Sequence, residues 1–410
     1  MSLKLLPVSL KPKLLSRDSD MKTPENIFDP KHYSDVRLPV MQANLLPPWC
    51  YTSQEFYERE VQEIFMKIWN LVGRVEQIPN PGDYFTLKLV GVEVIVLCDE
   101  NHDVRAFANT CRHRGCRLLT GEGHCEKRIR CPYHSWAYAF DGRLVGAPGM
   151  KKTVDFDQSQ LGLFPIRLET WEGFIFLCFD DHSESLMEYL GDFPERFSQY
   201  KFSDMVCTRR KETVIDCNWK LLTENAMEGF HTGTVHRDSL GIQKLTVEET
   251  LGQWVTAFHE SSKSIATLPG EDISLPRIES LSGRAAKGTY FVLIYPCSTW
   301  ACNQDGVFCI EQYPDGPTRT KIVLVSCFPK KVTEQDDFDR IVDRYYHRID
   351  YSVPEDIWIS EEQQAGLTST FSTTSRLSSE EPIVHSIANW VLDRVLDDPQ
   401  PPALNEATTG

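Results

Sequence analysis

The chain has 410 residues, of which 41% are hydrophobic and 25% are charged, and its formal net charge is −16. This length exceeds that of a single hydrophobic core, so two globular domains are expected, and the composition excludes a coiled coil, a collagen-like chain and wholesale disorder. The acidic charge argues against nucleic acid as a partner, because no basic stripe is available to displace counterions from phosphates.

The sequence predicts neither a membrane anchor nor a disulfide framework. No apolar run reaches the length of about 18 residues that a transmembrane helix needs, so no membrane partner is expected. Thirteen irregularly spaced cysteines without a secretory signal favour reduced thiols and a cytoplasmic location. Residues 1–17 carry basic and no acidic side chains, so a short transit peptide stays open, as does an alternative start at Met21.

In chain order, the first predicted units are an arm, a helix and a small β domain. Residues 1–50 are expected to form an irregular arm, Pro-rich in its second half. A capping box at 52–55 begins a helix predicted over 51–68, which is expected to pack on the larger second domain. From 69 to 180, short β-rich runs bounded by Gly, Pro, Asn or Asp predict a small all-β domain.

The second domain is predicted over 181–398, and residues 399–410 are expected to form a disordered tail. A turn at 315–317 between two β-rich runs indicates an antiparallel sheet. The fold class is therefore α+β, with an all-β domain followed by a helix-grip-like domain whose central antiparallel sheet is flanked by helices. The expected elements of this second domain are helices at 186–200, 219–230, 333–350, 354–366 and 380–397 and strands at 288–296 and 306–328.

Two cysteine-histidine pairs stand inside the β domain, C-R-H at 111–113 and C-P-Y-H at 131–134. Two cysteines on one iron and two histidines on the other are the ligands of a Rieske [2Fe-2S] cluster. Neutral imidazoles reduce the negative charge and raise the reduction potential, so such a centre accepts electrons from a lower-potential carrier. The predicted cluster ligands are Cys111, His113, Cys131 and His134.

A structural zinc site is the main alternative for these four residues, because two cysteines and two histidines also bind zinc. Zinc fingers usually pair cysteine with cysteine and histidine with histidine along the chain, whereas the two types alternate here. Cys116 and Cys125 lie between the pairs and are expected to be packing residues or free thiols.

A second set of metal-ligand side chains follows in the segment N-W-K-L-L-T-E-N-A-M-E-G-F-H-T-G-T-V-H at 218–236. His231 and His236 are five residues apart, where a buried helix is expected to unwind. Two histidines and one carboxylate form the facial triad of non-haem Fe(II) oxygenases, which leaves positions open for dioxygen and substrate. The carboxylate must come from elsewhere, and Asp356 and its neighbour Glu355 are the candidates. A core histidine and an acidic helix start without metal are the simpler alternative.

The segment C-R-H-R-G…C-P-Y-H-S-W-A-Y resembles the signature of the Rieske oxygenase family, the α subunits of ring-hydroxylating and demethylating oxygenases. The resemblance extends over roughly residues 50–370. It implies that 69–180 is the Rieske domain, that 181–398 is the catalytic domain, and that dioxygen is the cosubstrate. It also implies that the mononuclear Fe(II) ligands are His231, His236 and Asp356, which favours Asp356 over Glu355.

The resemblance also implies a homotrimer. In the family, the acid at the position of Glu228, usually Asp, links a cluster histidine of one subunit to an iron-ligand histidine of the next. Glu228 would then carry the inter-subunit electron path while fixing an imidazole tautomer. The longer Glu resembles the branch that oxidises choline, carnitine and glycine betaine. Asn225, one turn earlier, is a candidate for the wall of the iron pocket, with packing or capping as the alternative.

The chain has neither a dinucleotide-binding glycine fingerprint nor the cysteine spacing of a plant-type ferredoxin. NAD(P)H is therefore expected to act only through a separate flavin- or ferredoxin-type reductase. The leading function is a monooxygenase that hydroxylates or demethylates a quaternary ammonium or N-methyl compound. The alternatives are an aromatic-acid or methoxy-arene oxygenase, a ring cis-dihydroxylating dioxygenase, and a Rieske electron carrier without oxygenase activity.

Aromatic side chains in the predicted sheet are candidates for a cage around a trimethylammonium group, since the faces of aromatic rings attract cations. Aromatic residues in strands more often belong to an ordinary core, which is the alternative for each of them. The candidates are Trp254, Tyr295, Trp300 and Phe308.

Overall fold

The computed structural model describes residues 23–271 and 273–396. The possible transit segment at 1–17 and the predicted tail at 399–410 lie outside this range. Antiparallel sheets and helices make up the fold, which confirms the α+β class. In the part of the chain that the structure describes, no helix has both the length and the apolar character that crossing a membrane requires.

The predicted helix at 51–68 is divided into shorter pieces. Helix α1 is Trp49–Thr52, helix α2 is Gln54–Glu60, and a π-helical segment follows at Val61–Phe65. Ser53 has an extended backbone between the helices, and its hydroxyl accepts a hydrogen bond from the backbone N–H of Phe56. The N-cap is therefore one residue later than the capping box predicts, and the extended cap residue is what separates α1 from α2.

Ten strands follow the N-terminal helices. A seven-stranded antiparallel sheet has the order β1-β10-β9-β4-β3-β2-β5, and a three-stranded sheet has the order β6-β7-β8. These strands are β1 Asn70–Arg74, β2 Asp83–Leu89, β3 Val92–Cys98, β4 Val104–Ala108, β5 Glu122–His124, β6 Ile129–Arg130, β7 Ala137–Tyr138, β8 Leu144–Gly146, β9 Pro165–Trp171 and β10 Phe174–Cys178.

The second half of the chain forms a seven-stranded antiparallel sheet with helices against it, in the strand order β11-β17-β16-β15-β14-β13-β12. Its strands are β11 Met205–Ile215, β12 Thr246–Glu248, β13 Trp254–Glu260, β14 Gly288–Ile294, β15 Ser298–Cys302, β16 Val307–Pro314 and β17 Thr320–Pro329. Its helices are α3 Leu186–Leu190, α4 Phe193–Arg196, α5 Trp219–Ala226, α6 Lys330–Thr333, α7 Phe338–Leu367 and α8 Pro382–Val395.

One helix of 30 residues, α7, replaces the two helices predicted at 333–350 and 354–366. The sequence places Pro354 at the start of the second helix, and this placement is wrong, because Pro354 lies inside α7. An interior proline removes a backbone hydrogen bond and usually costs about 3 kcal/mol. Here the buried side of α7, which includes Ile349 and Val353, packs on the protein core, and packing of this kind outweighs local propensity.

The helix predicted at 186–200 is also interrupted, because α3 ends at Gly191. Gly191 has a φ of 56°, and a Cβ at this position would lie 2.0 Å from the carbonyl oxygen of Leu251. The backbone of the neighbouring loop therefore approaches so closely that only glycine fits. The polypeptide changes direction here, and α4 starts anew at Phe193.

Candidate active site and cluster site

The four predicted cluster ligands lie on two loops between strands of the first half of the chain. Cys111 and His113 follow β4, whereas Cys131 and His134 lie between β6 and β7. Both cysteines are buried in a small core of their own, and the imidazole centroids of the two histidines are 4.7 Å apart. The fold thus brings together residues that are about 20 positions apart in sequence.

The two ligand loops close in the same way. The backbone N–H of Gly115 donates to the carbonyl of Cys111, and the N–H of Ser135 donates to the carbonyl of Cys131, at 2.9 and 3.1 Å. Each donor has a left-handed backbone, with φ of 72° at Gly115 and 61° at Ser135. A left-handed conformation costs a residue with a Cβ roughly 1–2 kcal/mol, so the second loop carries strain that the first avoids.

The chemistry of these side chains fits a [2Fe-2S] cluster. Nδ1 of His113 and Nδ1 of His134 are buried and have no hydrogen-bond partner among the described residues. Such atoms are costly to leave unsatisfied, and coordination to iron through Nδ1 would satisfy both. Burial acts to raise the pKa of the Cys131 thiol, but backbone hydrogen bonds from Tyr133 and His134 lower it below its ordinary value. The thiolate that a metal requires is thereby favoured.

Aromatic residues surround the cluster site. The ring of Trp136 stacks on His113 with centroids 4.7 Å apart and planes 9° from parallel. The hydroxyl oxygen of Tyr138 accepts a hydrogen bond from the backbone N–H of Arg112 and lies 3.3 Å from Sγ of Cys111. The Tyr138 proton is therefore available to the sulfur, which is one way in which a protein tunes a cluster.

Cys116 and Cys125 are free and partly buried, and both pack against the small core of the cluster domain. This placement is in line with their expected role as packing residues or free thiols.

In the second domain, His231, His236 and Asp356 offer ligand atoms that all lie within 4.8 Å of one another. His231 begins a 3-10 turn, His231–Gly233, a few residues after α5, and Asp356 lies in the middle of α7. Nε2 of His236 is 2.9 Å and Nε2 of His231 is 3.5 Å from Oδ1 of Asp356. The helix predicted at 219–230 thus stops at Ala226, and the turn that follows aims the first histidine at α7.

Oδ1 of Asp356 is buried and accepts no well-oriented hydrogen bond from the described residues, although it lies close to both imidazoles. The three ligand side chains thus lie close together, but the hydrogen-bonding capacity of Asp356 Oδ1 is left unused. This donor set of two imidazoles and one carboxylate fits a divalent iron ion as a facial triad. The orphaned carboxylate oxygen is the feature that such an ion would satisfy.

Two further carboxylates lie within hydrogen-bond distance of Nδ1 of the two imidazoles. Oε1 of Glu228 lies 2.5 Å from Nδ1 of His231, and Oε2 of Glu355 lies 2.8 Å from Nδ1 of His236. An acid on Nδ1 orients the ring and leaves Nε2 as the metal-facing nitrogen. Glu355, the alternative ligand in the sequence, thus lies on the outer side of His236, opposite Asp356.

The charges at this site shift its pKa values. Burial alone would lower the pKa of His231, but the neighbouring carboxylates of Asp356 and Glu228 raise it to about 9. The pKa of Asp356 would be raised by burial but is lowered by the two histidines. Protons and a cation compete for such a site, so metal binding would release protons from the imidazoles.

A cavity of about 830 Å³, a volume that includes space open to solvent, adjoins the triad. Asn225 and Glu228 line it beside the histidines, so Asn225 lies where the sequence suggests. Much of the remaining wall is apolar and comes from the sheet. The aromatic side chains of this wall are Phe291, Trp300 and Phe308.

Two of the four predicted cage residues are wrong for this cavity, because Trp254 and Tyr295 are not part of its wall. Trp254 is buried in the core, and its Nε1 donates to Asp192. The ring of Tyr295 stacks on Trp390 with centroids 4.4 Å apart. Both side chains serve packing between the sheet and neighbouring helices, which is the common role of aromatic residues in strands.

The sequence interpretation overlooked Arg348, which lines the same cavity from α7. Arg348, Ser352 and Asp356 are spaced by four residues and lie on one helix face. This spacing was available in the sequence. The spacing indicates a shared helix face only if the helix is continuous. Because the sequence interpretation divided the helix at Pro354, Arg348 and Asp356 were assigned to separate helices.

Two family models match the chain. One, described as the Rieske [2Fe-2S] domain, matches residues 68–167, and the other, described as the catalytic domain of the ring hydroxylating alpha subunit, matches residues 202–397. Together they include all seven proposed ligands.

Curated relatives include the carnitine monooxygenase oxygenase subunit of Acinetobacter baumannii, 33% identical over 203 residues, or 48% of this chain and 55% of that protein. The chain spans about half the length of the curated carnitine monooxygenases it matches. The chloroplastic choline monooxygenase of Arabidopsis thaliana is 28% identical over 382 residues, or 90% of this chain and 85% of that protein. A solved structure of a quaternary ammonium Rieske monooxygenase has a TM-score of 0.73, is 25% identical, and covers 86% of this chain and 95% of that one.

Proposed function

Because this chain belongs to the Rieske non-haem iron oxygenases, we propose that it is the oxygenase component of a two-component monooxygenase. In this proposal a separate NAD(P)H reductase supplies electrons, and the chain hydroxylates or demethylates a quaternary ammonium or N-methyl compound. The observation that carries the proposal is the convergence of His231, His236 and Asp356 beside a cavity. An electron carrier needs the cluster alone and gains nothing from a second metal site with an open wall.

The protein side of the mechanism follows from the geometry. Cys111, Cys131, His113 and His134 would hold the [2Fe-2S] cluster, and the triad would hold iron. When bound, these groups supply electron storage and dioxygen activation. Glu228 and Glu355 accept hydrogen bonds from Nδ1 of the two histidines and keep both rings in the orientation that presents Nε2.

The cavity wall holds and orients the substrate. Phe291 and Phe308 present apolar surface on the sheet side, which limits water near the reacting carbon. Rings of this kind also attract N-methylated cations. The similarity to carnitine and choline monooxygenases supports the ammonium class.

We also propose that the oxygenase works as a homotrimer in which Glu228 links the cluster of one subunit to the iron of the next. Glu228 contacts Nδ1 of His231 and lines the cavity beside the triad, which supports its assignment to the iron end of this path. A Glu228→Gln variant should keep its trimeric mass, iron content and cluster spectrum, but its cluster should be reoxidised more slowly in single turnover. Normal reoxidation in this variant would contradict the assigned path.

The class of function is tested by metal content. Anaerobically purified protein should contain three iron atoms and two acid-labile sulfides per chain, since a cluster has two irons and the triad holds a third. His231→Ala and Asp356→Ala should each lose one iron while keeping the sulfide and the reduced-cluster EPR signal. If both variants kept their full iron content and turnover, the assignment of the mononuclear iron site to these residues would be wrong.

The substrate class is tested with a surrogate reductase and product mass spectrometry. The panel contains betaines, choline, N-methyl amines and aromatic acids. At least one ammonium compound should be converted with coupled consumption of dioxygen. Conversion of an aromatic acid alone would replace the ammonium assignment with the aromatic one.

A further inference from the structure

The cavity beside the triad contains a cation that the proposed catalytic chemistry does not use. Arg348 is the one lysine or arginine in its wall among the described residues, and it lies two helical turns before Asp356 on the same face of α7. A separation of eight residues corresponds to about 12 Å along the helix axis. The backbone positions of Arg348 and Asp356 are thus separated along α7 by a length comparable with that of a small ligand.

Arg348 has no protein counter-ion in the described part of the chain. Among the described residues, its Nε is buried without a hydrogen-bond acceptor, and no carboxylate lies within ion-pair distance of it. Burial lowers its pKa to about 10, and the charge of Asp356 opposes this shift only in part. The remaining acid of the cavity, Glu228, is hydrogen-bonded to His231. Once Asp356 and the histidines hold iron, the guanidinium is left unpaired in a partly apolar cavity.

An unpaired charge that is partly removed from water is costly, whereas a guanidinium matches a carboxylate through two parallel hydrogen bonds. The sheet contributes aromatic rings to the same cavity wall, among them Phe291 and Phe308, which suit a methylated cation. Arg348 on α7 therefore complements a negative charge, and the aromatic rings of the sheet complement a positive charge, on one small molecule.

From this arrangement we propose that Arg348 binds the carboxylate of the substrate, which is therefore a zwitterion with a carboxylate at one end and an N-methylated cation at the other. The cationic half of this assignment rests on the proposed function. The carboxylate half rests on Arg348 and separates betaine-like substrates from amino alcohols, which have a cation and no acid.

The inference is tested by binding to the anaerobic holoprotein, measured by calorimetry with a matched pair of ligands. Trimethylammonio-butanoate and its methyl ester share the cation and differ in the carboxylate charge. A charged hydrogen-bonded pair contributes about 1.5–3 kcal/mol, which corresponds to a roughly 10- to 150-fold ratio of dissociation constants in favour of the acid. Equal binding of the two by the unaltered protein would overturn the inference and needs no variant.

The residue is tested with Arg348→Gln. This variant should bind the carboxylate form at least about 10-fold more weakly, bind the ester as before, and keep its iron content. Arg344→Gln, one turn earlier on α7 and outside the cavity wall, is the matched control and should leave both dissociation constants unchanged. A preference for the acid that survives in Arg348→Gln would assign carboxylate binding elsewhere.

The outcomes also separate this inference from the proposed function. Turnover of choline equal to that of the zwitterion would keep the ammonium monooxygenase and overturn the role of Arg348. Binding of benzoate through Arg348, with no ammonium compound bound or converted, would keep the carboxylate site but overturn the zwitterion and the proposed substrate class.

Discussion

Oε2 of Glu355 lies 2.8 Å from Nδ1 of His236, on the side of the ring opposite Asp356. Glu355 and Asp356, two neighbouring acids of α7, thus have different roles at the imidazole of His236. Asp356 faces the nitrogen that is free to bind a metal, and Glu355 fixes the tautomer and the ring orientation.

Glu355→Ala should therefore weaken iron binding at the triad without removing it. Loss of such a supporting acid typically costs 10- to 100-fold in metal affinity, an order of magnitude we expect here. The measurement is Fe(II) titration of chelator-treated protein with the cluster intact. Glu362→Ala, an exposed acid on the same helix, is the control and should bind iron normally. An unchanged affinity in Glu355→Ala would show that Glu355 does not support His236.

Tyr138→Phe should lower the reduction potential of the cluster. The Tyr138 hydroxyl is 3.3 Å from Sγ of Cys111, and a hydrogen bond to sulfur stabilises the more negative, reduced cluster. A net 0.5–1.5 kcal/mol per hydrogen bond corresponds to about 20–65 mV for one electron. Redox titration monitored by EPR gives the value. Tyr133→Phe is the control, because it removes a hydroxyl from an exposed ring and should leave the reduction potential unchanged. If Tyr138→Phe had the same potential as Tyr133→Phe and the unaltered protein, Tyr138 would not donate a hydrogen bond to the cluster.

Lys220→Met should strongly destabilise the protein. Nζ of Lys220 lies 2.6 Å from Oε1 of Glu60, and both side chains are 0% exposed. Removing one member leaves the other charge buried and unpaired, at a cost of about 3–5 kcal/mol. Urea unfolding followed by circular dichroism measures the change.

The exposed pair of Lys67 and Glu63 provides the comparison, since its loss should cost less than about 1 kcal/mol. A second comparison is the double variant in which Lys220 and Glu60 are both replaced by Met, which should be more stable than Lys220→Met alone. Equal losses for Lys220→Met and Lys67→Met would mean that the buried pair does not hold the N-terminal helices on α5.

Glu224→Gln should change the pH dependence of stability. Burial raises the pKa of Glu224 from 4.5 to about 7, and its carboxylate accepts a hydrogen bond from Tyr51. The folded protein therefore binds a proton more tightly than the unfolded chain, so this group's contribution is present below about pH 4.5 and is lost as pH rises to about 7. The shift corresponds to at most about 3 kcal/mol.

The free energy of unfolding at pH 5 and pH 8 should consequently differ less in Glu224→Gln than in the unaltered protein. The exposed Glu195, replaced by Gln, should reproduce the unaltered profile. Parallel profiles for Glu224→Gln and the unaltered protein would show that Glu224 does not titrate in this range.

The sequence by itself determined the α+β class, the two cysteine-histidine loops and the paired histidines, because short spacing within a loop or turn dictates which side chains meet. Tertiary structure decided the rest. It carried α7 through Pro354, and thereby set the helical phase that turns Asp356 toward the histidines and brings Arg348 into their cavity. It also placed Trp254 and Tyr295 in packing contacts outside the cavity wall, where they cannot form the predicted cage. The direction of a side chain on a helix or strand depends on which face is buried, and packing between distant segments fixes that face.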